Sequence, residues 1–373
     1  MPYPLQLARK QAQVAELFSD ILAGCDEGTL APIRGMEDPF AYRNKAATPL
    51  APGPHGSIQC GLYAKGTHRI VRCPSCLVED VRCRRVLNSL ARTAELCKVA
   101  AYDEDRGRGL LRHAVARAGW KTDELLLTIV ANGERLPRER ELVRRVLRHA
   151  PDVTAIALNT NTRRTNAILG TRTRALHGGG LMRDELLGVT FEIGPTSFYQ
   201  TNPAQTEVLY GLAIDGARLE PGMRVLDAYC GIGTIGLCAA SRIPGLRVTG
   251  VEVGSDAVSD ARRNARANGL ASGCRFVCAD ATSYMREAAA RRERFDAVIM
   301  DPPRAGSTPE FLGSVIALAP ERVVYVSCNV VTQRRDMERL LAGGYRLDRL
   351  TPVDMFPHTR HVETVALLSR ARG

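Results

Sequence analysis

Apolar segments of strand length alternate with helical segments along the second half of the chain, from about residue 189 onward. This alternation predicts βαβ units and a mostly parallel sheet, the α/β class of fold. Only a turn separates the last two predicted strands, so we expect them to pair antiparallel at one edge of the sheet. The predicted strands are Arg224–Tyr229, Arg247–Glu252, Cys274–Ala279, Ala297–Met300, Arg322–Val326, Arg346–Met355 and Val362–Leu368.

The first half of the chain has a different pattern and predicts a second domain. Helical periodicity covers residues 5–23, and further helices are predicted at Val81–Ala100 and Pro137–His149. Short apolar runs between them predict an antiparallel sheet and hence an α+β region. The predicted strands are Leu110–Arg117, Glu124–Val130, Val153–Leu158 and Thr165–Leu169. The chain therefore divides into an N-terminal helix and connector (1–40), a central α+β domain (41–188) and a catalytic domain (189–373).

The positive charge is concentrated in the first half. The net charge is +11, of which residues 1–190 contribute +9 and residues 191–373 contribute +2. Arginine supplies 46 of the 51 basic residues, and guanidinium groups suit phosphate oxygens and stack on bases. Two interpretations fit this pattern equally: a nucleic-acid-binding region attached to a catalytic region, or an arginine-rich surface without a specific partner.

The composition also limits the cellular setting. No apolar run approaches the length of a membrane span, and the N terminus has no apolar signal region. Eleven cysteines, an odd number without a framework spacing, indicate reduced thiols rather than structural disulfides. We predict a cytoplasmic monomer with no membrane segment.

A glycine-rich turn follows the first strand of the second half. Gly231, Gly233 and Gly236 match the GxGxxG signature of dinucleotide-binding folds. Glu252 ends the next strand 16 residues later, close to the usual position of an acid that binds ribose hydroxyls. The glycine pattern alone is weak, so a nicotinamide-dependent dehydrogenase is one hypothesis at this point.

Two acidic residues favour S-adenosylmethionine instead. Asp227 ends the first strand, where its carboxylate would repel a pyrophosphate and suit a cationic sulfonium cofactor; the alternative is a helix N-cap. Asp301 begins the segment Asp-Pro-Pro-Arg after the fourth strand, where methyltransferases place an acid beside the methyl group. Asp280 ends the third strand and is a candidate contact for adenine, or an acid in a surface turn.

Cys328 follows the predicted strand Arg322–Val326, at the edge of the sheet where open α/β folds place ligands. It lies 27 residues after Asp301 and 35 before Glu363. A cysteine here is either a nucleophile or a packed thiol, and a base is the partner that a nucleophile of this kind requires.

Five motifs occur in order along the second half, and two more occur in the first half. Those of the second half are Phe198-Tyr-Gln-Thr-Asn-Pro203, Asp227-Ala-Tyr-Cys-Gly-Ile-Gly233, Asp301-Pro-Pro-Arg304, Val326-Ser-Cys-Asn329 and Asp354-Met-Phe-Pro-His-Thr-Arg-His-Val-Glu363. Those of the first half are Tyr42-Arg-Asn-Lys-Ala46 and Leu111-Arg-His113. Together they resemble the RNA uracil-C5 methyltransferases, which modify 23S ribosomal RNA or the T-loop of transfer RNA. The resemblance covers nearly the whole chain.

The resemblance implies a Rossmann-like, S-adenosylmethionine-dependent domain preceded by an RNA-binding domain. It implies that Cys328 adds to C6 of uracil and that Glu363 removes the proton from C5. Gln200 and Tyr229 resemble cofactor-binding residues of the family, and the predicted cofactor contacts are Gln200, Asp227, Tyr229, Gly231, Gly233, Glu252, Asp280 and Asp301. Arg304 is a candidate to neutralise a phosphate or the enolate oxygen. We expect 23S ribosomal RNA as the substrate, with transfer RNA or a non-catalytic RNA-binding role as alternatives. A base N-methyltransferase is disfavoured because Arg304 stands where such enzymes have an aromatic residue.

The chain departs from the family at two places. Val330 replaces the proline of the usual Ser-Cys-Asn-Pro, which removes no reacting group. Many ribosomal-RNA members also have an N-terminal β-barrel and a Cys-x5-Cys-Gly-Gly-Cys cluster, and neither occurs in this sequence. Cys76 resembles their fourth iron–sulfur ligand, but we expect no cluster, and packed or exposed thiols at Cys60, Cys73, Cys76 and Cys83. For the pair His358 and His361 we expect RNA contact or a structural role rather than a metal.

Overall fold

The computed structural model describes residues 1–371, and the chain divides into two compact units. Unit 1 contains residues 1–39, 186–191 and those from 197 on, and unit 2 contains residues 40–185 and 192–196. Within the described residues, no helix is both long enough and apolar enough to cross a membrane.

Unit 1 begins with two short helices, α1 (Tyr3–Leu17) and α2 (Ser19–Leu22), where the sequence predicts one helix. Phe18 lies between them with its side chain fully buried in the core of unit 1. Lys10 of α1 is also buried, and its Nζ lies 2.6 Å from Oδ1 of Asp354. These contacts attach the N-terminal segment to the core of the C-terminal part of the chain.

Unit 2 is built on a seven-stranded sheet with two helices. The strands are β1 (Lys45–Pro52), β2 (Ile58–Tyr63), β3 (Ile70–Arg72), β4 (Leu111–Ala118), β5 (Leu125–Ala131), β6 (Ala155–Thr160) and β7 (Arg172–His177), and the helices are α3 (Val81–Leu96) and α4 (Glu139–His149). The strand order is β3-β2-β1-β4-β5-β6-β7, and buried residues of both helices share one core with the sheet. The sheet is mixed rather than antiparallel throughout: β5 and β6 are parallel because α4 forms the crossover between them.

The strand predicted at Thr165–Leu169 is wrong, since these residues are irregular and β7 is the last strand of the sheet. The buried Asn161 explains the difference. Its Nδ2 donates hydrogen bonds to the backbone oxygens of Ala167 (2.7 Å) and Ile168 (2.9 Å). Because the Asn161 amide binds these two carbonyl oxygens, they are not available for the backbone hydrogen bonds that would pair this segment with a neighbouring strand.

A hairpin of β8 (Met182–Leu186) and β9 (Val189–Ile193) follows the seven-stranded sheet of unit 2 along the chain. Its two turn residues, Leu187 (φ 49°) and Gly188 (φ 80°), both have positive φ. Two-residue turns of this kind match the right-handed twist of the flanking strands.

The rest of unit 1 alternates strands and helices. The strands are β10 (Arg224–Ala228), β11 (Arg247–Glu252), β12 (Cys274–Cys278), β13 (Ala297–Met300), β14 (Arg322–Ser327), β15 (Tyr345–Val353) and β16 (Glu363–Arg370). The helices are α5 (Pro203–Gly216), α6 (Thr234–Arg242), α7 (Ser255–Ala267), α8 (Ala281–Ala290), α9 (Pro309–Leu318) and α10 (Val330–Ala342). The predicted strand bounds agree with these to within two residues.

The seven strands of unit 1 form one sheet in the order β12-β11-β10-β13-β14-β16-β15. The first five are parallel, and β16 lies between β14 and β15, antiparallel to both. The predicted α/β fold, with a mostly parallel sheet and an antiparallel pair at its edge, is confirmed.

Candidate active site

The predicted site residues of unit 1 gather at one edge of its sheet. Strand β10 pairs in parallel with β11 and β13, and β13 pairs in parallel with β14, so their carboxyl ends lie side by side. Glu252 ends β11, Asp301 follows β13 and Cys328 follows β14. Open α/β sheets bind ligands at this edge.

The glycine turn after β10 is held in a compact left-handed conformation. Tyr229, Gly231 and Gly233 have φ of 63°, 54° and 82°. A Cβ atom at Gly233 would lie 2.8 Å from the ring of Phe276, so only glycine fits there without displacement. Glu252 accepts a hydrogen bond from the backbone N–H of Gly231 at 3.2 Å, which ties the turn to the end of β11.

Asp227 contacts the N-terminal turn of helix α6. Its buried Oδ2 accepts a hydrogen bond from the backbone N–H of Gly236 at 2.9 Å, although the N-cap residue itself is Gly233. Asp227 therefore binds the first turn of α6, as a helix cap would, without being the N-cap residue. It also lies close enough to Asp301 and Glu252 to be influenced by their charges.

These three acids form an acidic cluster. Burial raises the pKa of Asp227 to about 7, with further increases from Asp301 and Glu252, and burial raises the pKa of Asp301 to about 7. Between residues 1 and 371, no lysine or arginine forms an ion pair with any of the three. Such a cluster, when ionised, repels a pyrophosphate and attracts a cation, and a bound cation favours the ionised form. It fits a ligand with sulfonium and ammonium groups, and it disfavours the dinucleotide of a dehydrogenase.

The loop after Asp301 is fixed by the buried Asp336 of helix α10. Oδ2 of Asp336 accepts hydrogen bonds from the backbone N–H of Ser307 and the hydroxyl of Tyr325, both at 2.7 Å. Ser307 Oγ in turn lies 3.1 Å from the hydroxyl of Tyr229. One carboxylate thus connects the loop, strand β14 and, through Ser307, the glycine turn. This role of Asp336 could not be predicted from the sequence, because it depends on contacts with residues that are distant along the chain.

Cys328 and Glu363 are brought together by the antiparallel pairing of β14 and β16. Ser327 pairs with Thr364, so Cys328 and Glu363 occupy the next positions, one residue beyond the last pair. Residues directly opposite each other in such a pair have Cα atoms about 4.5–5.5 Å apart. The two side chains that the sequence separates by 35 residues are therefore neighbours.

The electrostatic surroundings of this pair hold both groups protonated. Burial raises the pKa of the Cys328 thiol, and the charges of Glu363 and Asp301 raise it further. Burial raises the pKa of Glu363, which is 4% exposed, to about 8. The guanidinium of Arg304 acts in the opposite direction and lowers the pKa of both groups. Arg304 is therefore positioned to stabilise a thiolate, which the sequence alone did not indicate.

Of the other predicted residues, Asp280 lies near the glycine turn: burial raises the pKa of Tyr229, and the charge of Asp280 raises it further. Gln200 lies three residues before α5, and its side chain is buried. Asp280 is exposed and caps helix α8, with Oδ1 accepting from the backbone N–H of Ser283 at 2.8 Å. His358 lies 3.2 Å from Nε2 of Gln6 through its Nδ1.

The cysteines of unit 2 have ordinary contacts. Cys83 is buried, with its thiol 3.5 Å from the backbone oxygen of Asn44, and Cys73 contacts the backbone oxygen of Ser75 at 3.3 Å. Across the described part of the chain, no three His, Cys, Asp or Glu side chains are grouped to hold a metal ion.

The raised pKa of Glu363 has a consequence for stability. The folded state holds this proton up to about pH 8, whereas the group titrates near 4.5 when unfolded. Its contribution to stability is thus present at acidic pH and is lost as the pH rises from about 4.5 through 8. Compared with wild type, Glu363→Gln is expected to gain about 3–4 kcal/mol in the ligand-free protein between pH 5 and 8, or roughly 6–16 °C in Tm. Thermal unfolding of both proteins across this pH range measures the difference, and parallel Tm profiles would contradict it.

Comparison with known proteins identifies the family. A family model described as tRNA (Uracil-5-)-methyltransferase matches residues 188–371. The chain is 40% identical to an uncharacterized RNA methyltransferase of Staphylococcus aureus over 99% of its own length and 80% of that protein. It is also 40% identical to an uncharacterized RNA methyltransferase of Halalkalibacterium halodurans, over 99% and 79% of the two chains. This chain belongs to the RNA uracil-5-methyltransferase family. The predicted family and the predicted enzyme class, an S-adenosylmethionine-dependent RNA methyltransferase, are confirmed.

A solved structure agrees with this assignment. The crystal structure of Pyrococcus abyssi tRNA (uracil-54, C5)-methyltransferase in complex with S-adenosyl-L-homocysteine matches with a TM-score of 0.80 and 30% identity. The match covers 99% of this RNA methyltransferase and 84% of the other chain. The likeness therefore extends over both units rather than over the sheet of unit 1 alone.

Proposed function

We propose that this RNA methyltransferase transfers a methyl group to C5 of a uridine in 23S ribosomal RNA, with Cys328 as nucleophile and Glu363 as base. RNA uracil-5 methylation is the activity of the family, and the ribosomal target and the residue roles are the proposal. The observation that carries it is that Cys328 lies opposite Glu363, one position beyond the last β14–β16 pair, and close enough to Asp301 for its charge to act on both groups.

S-adenosylmethionine supplies an electrophilic methyl group when bound. We assign Glu252 to its ribose hydroxyls and Asp301 to its methionine end, because both carboxylates lie at the carboxyl edge of the sheet without a basic partner. Asp280 uses Oδ1 to cap α8, which leaves Oδ2 for the adenine amino group. The other proposed contacts surround the glycine turn or precede α5: Gln200, Asp227, Tyr229, Gly231 and Gly233.

The reaction needs both a nucleophile and a base because uracil C5 is a poor carbon nucleophile. The Cys328 thiol gives up its proton to water, and the thiolate forms a bond to C6, which converts the C5=C6 double bond into an enolate. Arg304 supports the thiolate, since its guanidinium lowers the pKa of the thiol. C5 then takes the methyl group as the bond from the methyl carbon to the sulfonium sulfur breaks. Glu363, in the ionised form that the Arg304 guanidinium favours, then removes the C5 proton. The electrons of that C–H bond re-form C5=C6 as the S–C6 bond breaks, which releases the thiolate.

The ribosomal substrate is favoured by the motif resemblance, and transfer RNA is the second candidate. The latter is supported by the similarity to a tRNA (uracil-54, C5)-methyltransferase. We propose that residues 41–188 bind the RNA, because most of the net positive charge lies in the first half of the chain. The identity of the uridine depends on RNA shape and on unpaired loops, which proteins read through many dispersed contacts.

One assay separates these candidates. Purified protein is incubated with tritiated S-adenosylmethionine and unmodified transcripts of 23S ribosomal RNA and of transfer RNA, and 5-methyluridine is mapped in each product. The expected result is 5-methyluridine at one position of the ribosomal transcript. Label only in the T-loop of transfer RNA would overturn the ribosomal assignment, and label at a base nitrogen would overturn the chemistry.

A further inference from the structure

A positively charged groove lies in unit 2, on a surface that plays no part in the site described above. It runs between the N-terminal end of α4, the loop before that helix and strand β7, and its volume is about 1440 Å³. Six arginines line it: Arg135, Arg138, Arg140, Arg144, Arg172 and Arg174. All six are exposed.

Local structure aims these side chains into one space. Arg172 and Arg174 are two residues apart on β7, so they lie on the same face of the strand. Arg140 and Arg144 are four residues apart on α4, so they lie on the same face of the helix. The loop that carries Arg135 and Arg138 is anchored between them by the buried side chain of Leu136.

The groove has more cations than anions. Glu134, Glu139 and Glu141 are the acids in its lining, which leaves a net charge of +3 against six arginines. Arg172 pairs with Glu134, and Arg174 pairs with Glu139. Glu141 pairs with Arg145, which is not part of the lining.

Four of the six arginines thus have no acidic partner in the part of the chain that the structure describes: Arg135, Arg138, Arg140 and Arg144.

Arginines that stabilise the fold of unit 2 differ from these. Arg84 is buried and paired with Glu79 at 2.6 Å. Arg112 is 2% exposed, pairs with Glu104 at 2.8 Å and donates to two backbone oxygens. Arg174 also donates to the backbone oxygen of Glu134. The four groove arginines without an acidic partner are exposed, and their side chains have no hydrogen-bonded acceptor among the described residues, so a role in folding does not explain their grouping. Like charges held together in a concavity raise its affinity for an anion.

We propose that this groove binds the phosphate backbone of the RNA substrate, as a docking site separate from the residues that react. The proposal rests on the proposed function, in which the substrate is RNA, a polyanion. Guanidinium groups bind phosphate oxygens in a bidentate, charge-assisted manner. Contacts of this kind position a nucleic acid and contribute affinity without reading its sequence.

The double variant Arg140→Gln/Arg144→Gln tests the proposal. Both side chains are exposed and form no ion pair within residues 1–371, so the fold is expected to be preserved, and circular dichroism checks this. The probe is an unmodified 23S ribosomal RNA transcript. Its Kd and KM are expected to rise about tenfold at ~0.1 M salt, while kcat at saturating RNA stays unchanged. The slope of log Kd against log salt concentration is expected to fall by about 1.4–1.8, as for the loss of two phosphate contacts.

The matched control is Arg69→Gln/Arg92→Gln, which removes two exposed, unpaired arginines of the same unit outside the groove. It is expected to leave Kd and the salt slope as in wild type. Equal losses in both variants would indicate a general effect of net charge and overturn the groove assignment, as would an unchanged Kd in the groove variant. RNA binding is measured without methyl transfer, so a failure of the proposed chemistry would not affect this result. Competition by an acidic peptide without a change in RNA affinity would assign the groove to a protein partner and overturn the proposal.

Discussion

Cys328→Ala is expected to lower the rate of methyl transfer to RNA by at least ~10⁴-fold, because no other group can form the bond to C6 that activates C5. The variant is also expected to form no covalent adduct with RNA that contains 5-fluorouridine. In wild type, fluorine at C5 cannot be removed as a proton, so the S–C6 adduct should persist. Tritiated methyl transfer measures the first effect, and a shifted band on a denaturing gel measures the second.

A matched cysteine controls for a general effect of losing a thiol. Cys25 lies in unit 1 and is partly buried, with its thiol 3.2 Å from the backbone oxygen of Ile21 and no contact with the site residues. Cys25→Ala is expected to retain the wild-type rate and the adduct. An undiminished rate in Cys328→Ala would exclude the covalent mechanism. Loss of methyl transfer with the adduct still present would assign nucleophilic attack to another residue.

The sheet of unit 1 could be predicted because each of its strands is a short apolar run bounded by turn residues. The bounds of β11 and β13 agree with the prediction at both ends. The order of the last two strands could not be predicted in the same way. Local pattern indicates that β15 and β16 pair, but the insertion of β16 between β14 and β15 is a tertiary choice. That choice places Glu363 beside Cys328.

The sheet of unit 2 shows where local pattern is insufficient. Thr165–Leu169 does not form the predicted strand, because the Asn161 side chain binds the carbonyl oxygens of Ala167 and Ile168. The few apolar residues of the segment do not outweigh these hydrogen bonds. Strand β7 is exposed along nearly its whole length and carries two arginines and a histidine. It therefore has none of the apolar alternation from which strands are recognised.

The same distinction applies to the active site. Residues that end strands, such as Glu252 and Asp301, could be found because the sheet fixes where they emerge. Arg304 and Asp336 act through distant partners, the Cys328 thiol and the loop at Ser307. No spacing in the sequence reports such contacts.

Glu363→Gln is expected to stop the reaction after methyl transfer rather than before it. The amide has nearly the shape of the carboxyl group but cannot accept the C5 proton, so the S–C6 bond to Cys328 should persist in a methylated adduct. Turnover is expected to fall by about 10²–10⁴-fold. With natural RNA and tritiated S-adenosylmethionine, a denaturing gel should show a shifted protein–RNA band that carries the label. Wild type, which releases its product, should show none.

The label in the band is what identifies the arrested step. An adduct without label would place the block at methyl transfer and assign Glu363 to cofactor binding or to the architecture of the site. The absence of any adduct, with turnover reduced, would exclude Glu363 as the base. Glu310→Gln is the matched control, since Glu310 is an exposed glutamate in the first turn of α9, outside the site. It is expected to turn over at the wild-type rate without a labelled band, so that accumulation in Glu363→Gln can be attributed to the loss of this one proton acceptor.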